Sequence, residues 1–200
     1  MSVKIAEDGE ILTKGPNLML GYYKEPELTN EAIDKDGWFY TGDIGEFVEG
    51  DFLKITDRKK EMFKTSGGKY VAPQMMENKF KESGFIEQIM VIGEGQKHPA
   101  ALVVPAYSYV REWATRKGIK IGSSREDMVN NPEVIKRISE EIEKYNLQFG
   151  KTERVKKFEL LIDEWTIETG ELTPTLKLKR RVIKEKFKTY FEKIYGKEHQ

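Results

Sequence analysis

A lysine near the C-terminal end of the chain lies in a setting that suits a residue acting on a bound molecule. Lys177 follows Thr173 and Pro174, which favour a turn, and Thr175, whose hydroxyl can bond the backbone. We therefore expect the Lys177 side chain to point out of the turn, with its ammonium group serving as a mobile point charge. The same residues also fit the solvated start of a basic helix over 179–188, and both interpretations stay open on this stretch alone.

An aspartate and an arginine farther upstream have side chains suited to a sugar or a phosphate. Asp43 follows Thr41 and Gly42 at the end of an aromatic stretch, and a carboxylate on such a turn can accept hydrogen bonds from both hydroxyls of a ribose. The alternative is that Asp43 only bonds neighbouring backbone N–H groups. Arg58, in the charged run 57–61, can fork onto ribose or phosphate oxygens, or it can belong to a solvated turn.

A glycine pair follows in the loop formed by Ser66, Gly67, Gly68 and Lys69. Paired glycines let the backbone come close to a bound molecule, and exposed N–H groups can meet phosphate or amide oxygens. The loop is not a Walker phosphate loop, because the required spacing to a Lys-Ser or Lys-Thr pair is absent. By itself it also fits an ordinary surface loop.

The composition excludes several other kinds of site. The 200 residues contain no cysteine, and His98 and His199 occur in no metal-ligand spacing, so we predict no metal site. Basic and acidic residues balance at 34 each, which removes a general attraction to nucleic acid or anionic lipid. No apolar run could span a bilayer and no signal pattern opens the chain, so we expect a cytoplasmic protein.

The elements that would position these residues change in kind near residue 57. Before it the chain is rich in glycine turns and short strands; after residue 60 helices and strands alternate. Pro73 and the pair Asn131–Pro132 mark helix starts, because proline at the first helical position loses no hydrogen bond. We predict a β-rich segment over 1–57, an exposed boundary or hinge over 57–60, and an α+β domain with a small sheet and packed helices over 58–200.

Periodicity and turn residues place the individual elements. The last helix carries an apolar stripe through Ile183, Phe187 and Ile194, with Gly196 beyond it. A hairpin tip is predicted at 49–51. The predicted strands are 10–14, 39–40, 46–48, 52–55, 85–92, 100–105 and 155–162; the other predicted helices run from 73 to 84, across 110–118 and from 132 through 145.

Three motifs in this order resemble one family of enzymes. The stretches TGD (41–43), DRKKEMFKTSGGKYVAP (57–73) and LTPTLKLKRR (172–181) are similar to the AMP-forming acyl-CoA synthetases, a family that also contains luciferases and peptide-synthetase adenylation domains. The stretch GPNLMLGYY (15–23) fits the same family. The phrases SGGKYVAP and LTPTLKLKRR look most like its long-chain fatty-acid branch. The resemblance covers nearly the whole chain.

The resemblance implies a two-step reaction. A fatty-acid carboxylate attacks the α-phosphate of ATP, giving acyl-AMP and pyrophosphate, and the thiol of coenzyme A then displaces AMP. ATP, Mg²⁺ and coenzyme A are the implied cofactors and co-substrates, with the magnesium ligands outside this chain. The implied roles are ribose binding by Asp43 and Arg58, a hinge at Lys60, coenzyme A binding by the loop Ser66, Gly67 and Gly68, and adenylation by Lys177. Several branches carry aspartate where this chain has Lys60.

Two motifs that the family requires are missing. Its Ser/Thr/Gly-rich phosphate loop and its Thr-Glu magnesium motif do not occur here, and neither does a fatty-acid tunnel. The resemblance therefore implies that 1–57 is the end of a large adenylation domain and 58–200 is a mobile C-terminal lid. Its implied partner is the missing N-terminal domain, and the chain is expected to be inactive alone.

Two other functions and two properties stay open on the sequence. The chain could be a separate binding or regulatory module with the lid fold, or a nucleic-acid binder that uses 177–188. Peripheral membrane association is open, because long-chain members are often peripheral to membranes but this segment shows no amphipathic anchor. The acyl chain length cannot be read, since its pocket is absent.

Overall fold

The computed structural model describes residues 1–50 and 52–196, so His199 lies outside the described residues. The internal contacts of the chain divide it into two compact units, Met1–Met62 and Phe63–Gln200. The first is mainly β-structure and the second mixes helices with two small sheets. The α+β class predicted from the sequence is confirmed.

The first unit is built on a four-stranded antiparallel sheet. Its strands follow chain order, β1 (Ser2–Ile5), β2 (Glu10–Lys14), β3 (Phe39–Val48) and β4 (Phe52–Arg58), and helix α1 (Pro26–Ala32) lies between β2 and β3 in sequence. Ile11 and Leu12 of β2 are buried. Large apolar side chains of the β3–β4 hairpin are exposed, namely Phe47, Phe52, Leu53 and Ile55.

The β3–β4 hairpin was predicted, but β3 is longer than the sequence indicated. Glu49 and Gly50 in the predicted tip have φ values of 50° and 91°, the left-handed region that suits a tight turn; Asp51 lies outside the described residues. Strand β3 continues through Gly42 and Gly45, which the sequence pattern treated as breaks. A Cβ atom at Gly45 would lie 2.6 Å from the Lys54 carbonyl oxygen, so glycine here permits the close approach of β4.

The second unit contains a two-stranded and a three-stranded sheet. Strands β5 (Phe63–Lys64) and β6 (Tyr70–Val71) form a small hairpin. In the larger sheet, β7 (Ile86–Ile92) pairs antiparallel with β8 (Ala100–Pro105), and β8 pairs parallel with β9 (Lys157–Leu160). All six residues of the central β8 are buried, as expected for a strand covered on both faces.

Six helices complete the second unit as far as Gly196, where the described residues end, and several of their starts follow local rules. Helix α2 begins at Pro73 as predicted, and the Asn131 side chain accepts hydrogen bonds from the Glu133 and Val134 amides at the start of α5. Helix α2 ends at Phe80, before the predicted end at Gly84. The helices are α2 (Pro73–Phe80), α3 (Tyr107–Lys117), α4 (Arg125–Val129), α5 (Pro132–Asn146), α6 (Arg180–Lys186) and α7 (Lys188–Tyr195).

Two features of these helices differ from the prediction. Helix α4 was not predicted, although Ser124 and Asp127 form a capping box at its start. The single predicted C-terminal helix is divided at Phe187, whose φ and ψ of −106° and 24° are not helical. The periodicity missed this break because Phe187 and Ile194 still face the same core. No helix of the described residues is long and apolar enough to cross a membrane.

The core of the second unit is one continuous cluster. It joins β7 and β8 to helices α2, α3 and α5, and the largest fully buried side chains include Phe80, Met90, Leu102, Ile138 and Ile183. Ile183 brings α6 into this core, so the segment that precedes α6 is attached to a rigid base. That segment contains Lys177.

Candidate functional site

Asp43 and Arg58, the two residues predicted to contact a ribose, lie side by side in the first unit. They are register partners on β3 and β4, and Arg58 Nε is 3.0 Å from Asp43 Oδ1. The Asp43 side chain is 24% exposed and the Arg58 side chain 58% exposed. The pair is therefore accessible to a ligand, and its guanidinium helps to hold the carboxylate in position.

Asp43 lies inside β3, not on the predicted turn at a strand end, at a point where the pairing with β2 shifts register. Hydrogen bonds across the sheet fix this segment. The Thr41 hydroxyl donates to the Ile11 carbonyl at 2.7 Å and accepts from the Asp43 amide at 3.1 Å. Gly42 has φ of 73° and donates its amide to Glu10 Oε1 at 2.8 Å. The Thr41 hydroxyl and the Gly42 amide thus tie this motif to β2, and Asp43 is held between them and Arg58.

Glu10 is a residue of this site that the sequence analysis missed. Its buried carboxylate accepts the Gly42 amide with one oxygen and, with the other, contacts Lys59 Nζ at 2.7 Å. Lys59 Nζ also lies 2.7 Å from Asp8 Oδ2, and the Lys59 amide donates to the Gly42 carbonyl at 2.8 Å. An acidic residue directly before the buried pair Ile11–Leu12 was the available signal, because buried carboxylates require partners.

The pKa of Lys59 is raised and that of Asp8 is lowered, as expected for an ion pair. Hydrogen bonds to Asp8 and then Glu10 raise the pKa of Lys59 well above its usual range. The hydrogen bond from Lys59, followed by that from the Glu10 amide, lowers the pKa of Asp8. Lys59 is therefore a charged, tethered residue, and the predicted hinge residue Lys60 follows it directly.

Lys60 lies in a tight turn. The Glu61 and Met62 amides both donate to the Arg58 carbonyl, at 2.9 and 3.2 Å. The Lys60 side chain is exposed. The chain thus passes from the tethered Lys59 through Lys60 to the end of the first unit.

The glycine loop predicted to meet coenzyme A connects β5 and β6 in the second unit. The Thr65 amide donates to the Lys69 carbonyl and the Gly68 amide to the Thr65 carbonyl, each at 2.9 Å. The Ser66 amide donates to the Gln96 carbonyl at 2.9 Å. The Ser66 and Gly68 N–H groups, which were predicted to bind a ligand, instead donate hydrogen bonds to the Gln96 and Thr65 carbonyls.

Gly67 has a different environment from Gly68. Gly68 has φ of 76°, which itself favours glycine, whereas Gly67 is not in that region. A Cβ atom at Gly67 would meet no heavy atom of the described residues closer than the Thr65 hydroxyl, at 3.9 Å. Neither backbone strain nor local packing within this chain requires glycine at position 67.

Lys177 lies at the tip of a small hairpin in the second unit. The hairpin closes through a bridge between Leu172 and Leu178, and the Thr173 amide donates to the Lys177 carbonyl at 2.9 Å. The Lys177 amide donates to the Thr173 hydroxyl at 3.0 Å, and Leu176 has φ of 59°. The Lys177 side chain is exposed, as the turn residues predicted.

A buried carboxylate anchors the hairpin to α6. Glu171 Oε1 is 2.6 Å from Lys186 Nζ, and Glu171 also accepts a hydrogen bond from the Thr169 hydroxyl. Burial by itself would raise the pKa of Glu171, but the hydrogen bonds from Lys186 and Thr169 outweigh it and the pKa lies below its usual value. The Glu171 carbonyl accepts the Lys179 amide at 2.8 Å, so this residue fixes both arms.

The candidate site residues are thus divided between the two units. Asp43, Arg58 and Lys60 belong to the first, and the glycine loop and Lys177 belong to the second. Within the described residues, no three histidine, aspartate or glutamate side chains are grouped so that they could hold a metal ion.

Comparison with known proteins places these features in a family. The family model described as "AMP-binding enzyme C-terminal domain" matches residues 61–199. The chain belongs to this family. The AMP-binding C-terminal domain therefore includes both the glycine loop and the Lys177 hairpin.

Curated relatives of this AMP-binding C-terminal domain and its preceding strands are fatty-acid ligases. The long-chain-fatty-acid–CoA ligase FadD15 from Mycobacterium tuberculosis is 40% identical over 98% of this chain, which corresponds to 33% of FadD15. The human long-chain-fatty-acid–CoA ligase 6 is 39% identical over 94% of this chain and 27% of its own length. The chain thus spans about a third or less of these relatives, and the resemblance drawn from the motifs is confirmed.

Solved structures agree on the fold. The adenylation domain of a carboxylate reductase from Mycobacterium chelonae superposes with a TM-score of 0.72 at 28% identity, over 92% of this chain and 27% of that chain. The corresponding domain from Segniliparus rugosus, in complex with AMP and a co-purified carboxylic acid, gives the same TM-score, identity and coverage.

Proposed function

We propose that residues 1–200 form the C-terminal part of an AMP-forming long-chain fatty-acid–CoA ligase. The observation that carries the proposal is the 40% identity to FadD15 across 98% of the chain. In this proposal ATP, a fatty acid and coenzyme A are the substrates, and a large domain supplies the phosphate and acyl sites. The domain division, with 1–57 in that large domain and 58–200 in the lid, is part of the proposal.

The Asp43–Arg58 pair would hold the ribose of ATP. Asp43 Oδ1 contacts Arg58 Nε and the Asp43 side chain is 24% exposed. A carboxylate has about four acceptor positions, so capacity remains for the two ribose hydroxyls. Arg58 would keep Asp43 oriented and could itself reach the sugar. The fixed backbone at Gly42 supports this role, because a preorganised acceptor loses little entropy on binding.

Lys177 would act in the first half-reaction. When the fatty-acid carboxylate attacks the α-phosphorus of ATP, the P–O bond to pyrophosphate breaks and negative charge gathers on the attacking and non-bridging oxygens. An exposed ammonium group on a fixed hairpin tip can stabilise that charge. The thiol of coenzyme A then attacks the acyl carbon of acyl-AMP, and AMP leaves.

The glycine loop and Lys60 would act in the second half-reaction. The open space beside Gly67 suits a loop that must let the pantetheine arm pass, because none of the residues that the structure describes requires glycine there. Lys60 would be the hinge about which the lid changes its orientation between the half-reactions. Mg²⁺ would accompany ATP on residues outside this chain, because the Thr-Glu magnesium motif of the family does not occur in this sequence.

The alternative of nucleic-acid binding by 177–188 loses support from the pairing of its basic residues. Arg180 and Lys186 contact buried carboxylates. Arg181, Lys184 and Lys188 lie within 4.0 Å of glutamate oxygens. These pairs reduce the net positive charge that a phosphate backbone would meet.

A segment exchange tests the proposal directly. Residues 1–200 would replace the matching segment of FadD15, and this exchange ligase would be assayed for palmitoyl-CoA formation from ATP, palmitate and coenzyme A. We expect turnover by the exchange ligase and none by FadD15 without the segment or by residues 1–200 alone. An exchange ligase that is folded but inactive, or turnover by the 200-residue chain alone, would contradict the proposal.

A further inference from the structure

A buried ion pair joins two helices of the second unit beside the Lys177 hairpin. Arg180, the first residue of α6, places its Nη2 atom 2.6 Å from Oε2 of Glu77 on α2. The Glu77 side chain is 6% exposed and that of Arg180 is 17% exposed. The roles proposed above for the sequence motifs do not involve this Glu77–Arg180 pair.

Both partners also bind the backbone of β7 at one residue. Glu77 Oε1 accepts the Val91 amide at 2.7 Å, and Arg180 Nη1 donates to the Val91 carbonyl at 3.4 Å. The planar guanidinium can serve a carboxylate and a carbonyl at once, which a lysine ammonium cannot do with the same fixed geometry. The ion pair therefore locks α6 to both α2 and β7.

This arrangement costs desolvation energy that an apolar contact would avoid. Buried ion pairs seldom add more stability than well-packed apolar residues of the same volume, and their better-attested contribution is a specific geometry. The Arg180–Glu77 pair is therefore better explained by the geometry that it fixes than by the stability that it adds.

The chain between Arg180 and Lys177 is short and fully ordered by hydrogen bonds. The Lys179 amide donates to the Glu171 carbonyl, and the Lys177 carbonyl accepts the Thr173 amide. No side-chain hydrogen bond caps α6 at Lys179 in the described part of the chain. The Arg180 side chain therefore fixes the start of α6. The second arm of the hairpin, residues 177–179, ends at this point.

We propose that Glu77 and Arg180 are positioning residues for Lys177, holding the hairpin in the direction that adenylation requires. The inference rests on the proposed function and adds two residues that do not touch substrate. It predicts that the pair matters for the half-reaction in which Lys177 acts and matters little for thioester formation.

Arg181 offers a matched control. It is the next residue, has the same side chain, and belongs to the same basic motif. Its side chain is 92% exposed, and it pairs with the exposed Glu185 at 3.0 Å. If the motif acted through its general positive charge, substitution of Arg180 and of Arg181 would have similar effects. If Arg180 positions Lys177, only its substitution affects adenylation.

The test uses the exchange ligase and measures the two half-reactions separately. Adenylation is followed by ATP–pyrophosphate exchange with palmitate, and thioester formation by the reaction of supplied palmitoyl-AMP with coenzyme A. We expect Arg180→Met to lower kcat of adenylation by roughly a hundredfold, the effect of misplacing a reacting group by about 1 Å. We expect KM for ATP and the thioester step to stay near wild type, and Arg181→Met to match wild type in both.

A double variant separates positioning from stability. Glu77→Met with Arg180→Met replaces the ion pair by apolar side chains and removes the uncompensated buried charge that either single change leaves. We expect the double variant to be more stable to urea than Arg180→Met, although below wild type because the Val91 amide loses its acceptor, while its adenylation stays as slow as in Arg180→Met. Recovery of adenylation together with stability would show that the pair only stabilises the fold.

Two further outcomes would overturn the inference. Equal losses in both half-reactions would make the pair a general structural element, and equal behaviour of the Arg180 and Arg181 variants would remove the positioning role. Lys177→Ala, measured in parallel, tests whether Lys177 itself acts in adenylation. If that change leaves adenylation intact, the proposed role of Lys177 is wrong, and the positioning inference is wrong with it.

Discussion

Arg58 and Asp43 face each other across β3 and β4, with Arg58 Nε 3.0 Å from Asp43 Oδ1. The strand that carries Arg58 continues directly into Lys59, whose amide donates to the carbonyl of Gly42 beside Asp43. The proposed ribose contact and the residue before the proposed hinge are therefore joined by one backbone hydrogen bond. Substitutions in this cluster should affect nucleotide binding first.

Asp43→Ala in the exchange ligase should raise KM for ATP by about 10- to 100-fold, because one or two charge-assisted hydrogen bonds to the ribose are lost. The thioester step from supplied palmitoyl-AMP should also weaken, since the same ribose is present in that substrate. Steady-state kinetics over a range of ATP concentrations checks this. Glu46→Ala is the control, because Glu46 is an exposed acidic residue of the same strand. An unchanged KM for ATP in Asp43→Ala would remove the ribose role.

Lys177→Ala should slow adenylation by roughly 100- to 1000-fold, the range found when one charge-stabilising donor is removed. Thioester formation from supplied palmitoyl-AMP should be unaffected, because no new charge on phosphorus is created in that step. Lys179→Ala, at an exposed lysine of the same motif, serves as the control. The role assignment would be wrong if both half-reactions slowed equally.

Gly67→Leu should have the opposite effect to Lys177→Ala. A Cβ atom has room in the loop as it stands and φ at Gly67 is not in the left-handed region, so the variant should fold. The leucine side chain should obstruct the pantetheine arm and slow the thioester step. Gly67→Ala provides a graded comparison, since a single Cβ lies 3.9 Å from the nearest side-chain atom. We expect the losses to rise from alanine to leucine. Normal thioester formation in a folded Gly67→Leu ligase would argue against coenzyme A passing this loop.

Glu171→Gln should make unfolding of the second unit less dependent on pH. The folded pKa of Glu171 lies below the ordinary glutamate value of 4.5, so its ionised form contributes stability above that value. This contribution is lost as pH falls through the folded pKa. The difference in unfolding free energy between wild type and variant, about 1–3 kcal/mol at pH 7, should therefore shrink below pH 4.5. Urea titrations at several pH values measure it.

Glu185→Gln is the control for that experiment. Glu185 is exposed and pairs with the exposed Arg181, so its substitution should change the unfolding free energy by less than about 1 kcal/mol. A constant difference between wild type and Glu171→Gln across the whole pH range would contradict the assignment of the charge to the Glu171–Lys186 pair.

Glu10→Ala should destabilise the first unit by about 2–4 kcal/mol, because it leaves the Gly42 amide without its acceptor and removes the buried partner of Lys59. Asp8→Asn, at the exposed partner of the same lysine, should cost less than about 1 kcal/mol. The fluorescence of Trp38, with Trp113 and Trp165 replaced by phenylalanine, reports on the first unit alone. Equal losses of unfolding free energy in Glu10→Ala and Asp8→Asn would contradict the prediction that the buried carboxylate contributes more than the exposed one.

The sequence was sufficient for features that depend on neighbouring residues. Pro73 and the Asn131–Pro132 pair marked two helix starts, and the exposed turn around Lys177 followed from its threonines and proline. Helix α4 could have been found from Ser124 and Asp127, but five residues are too few for a periodic pattern.

The contacts that hold the candidate site could not be predicted in the same way. Glu77 and Arg180 are 103 residues apart in the sequence, and Glu10 and Lys59 are 49 apart. The position of Glu10 before Ile11–Leu12 indicates that it needs a partner but not that the partner is Lys59. Nothing local distinguishes Glu77 or Arg180 in a chain in which 34% of residues are charged. Only the folded arrangement of strands and helices identifies which carboxylate meets which cation.

The ion pair at Val91 has a further consequence for the three-stranded sheet. Strand β7 is an edge strand, and Glu77 and Arg180 bind the amide and the carbonyl that Val91 turns away from β8. Backbone groups on an exposed edge would pair with a strand from another molecule, but Val91 is only 1% exposed, so its amide and carbonyl need partners inside the protein. The two side chains therefore complete the hydrogen bonding of the sheet at a position where neither a strand nor water can do so.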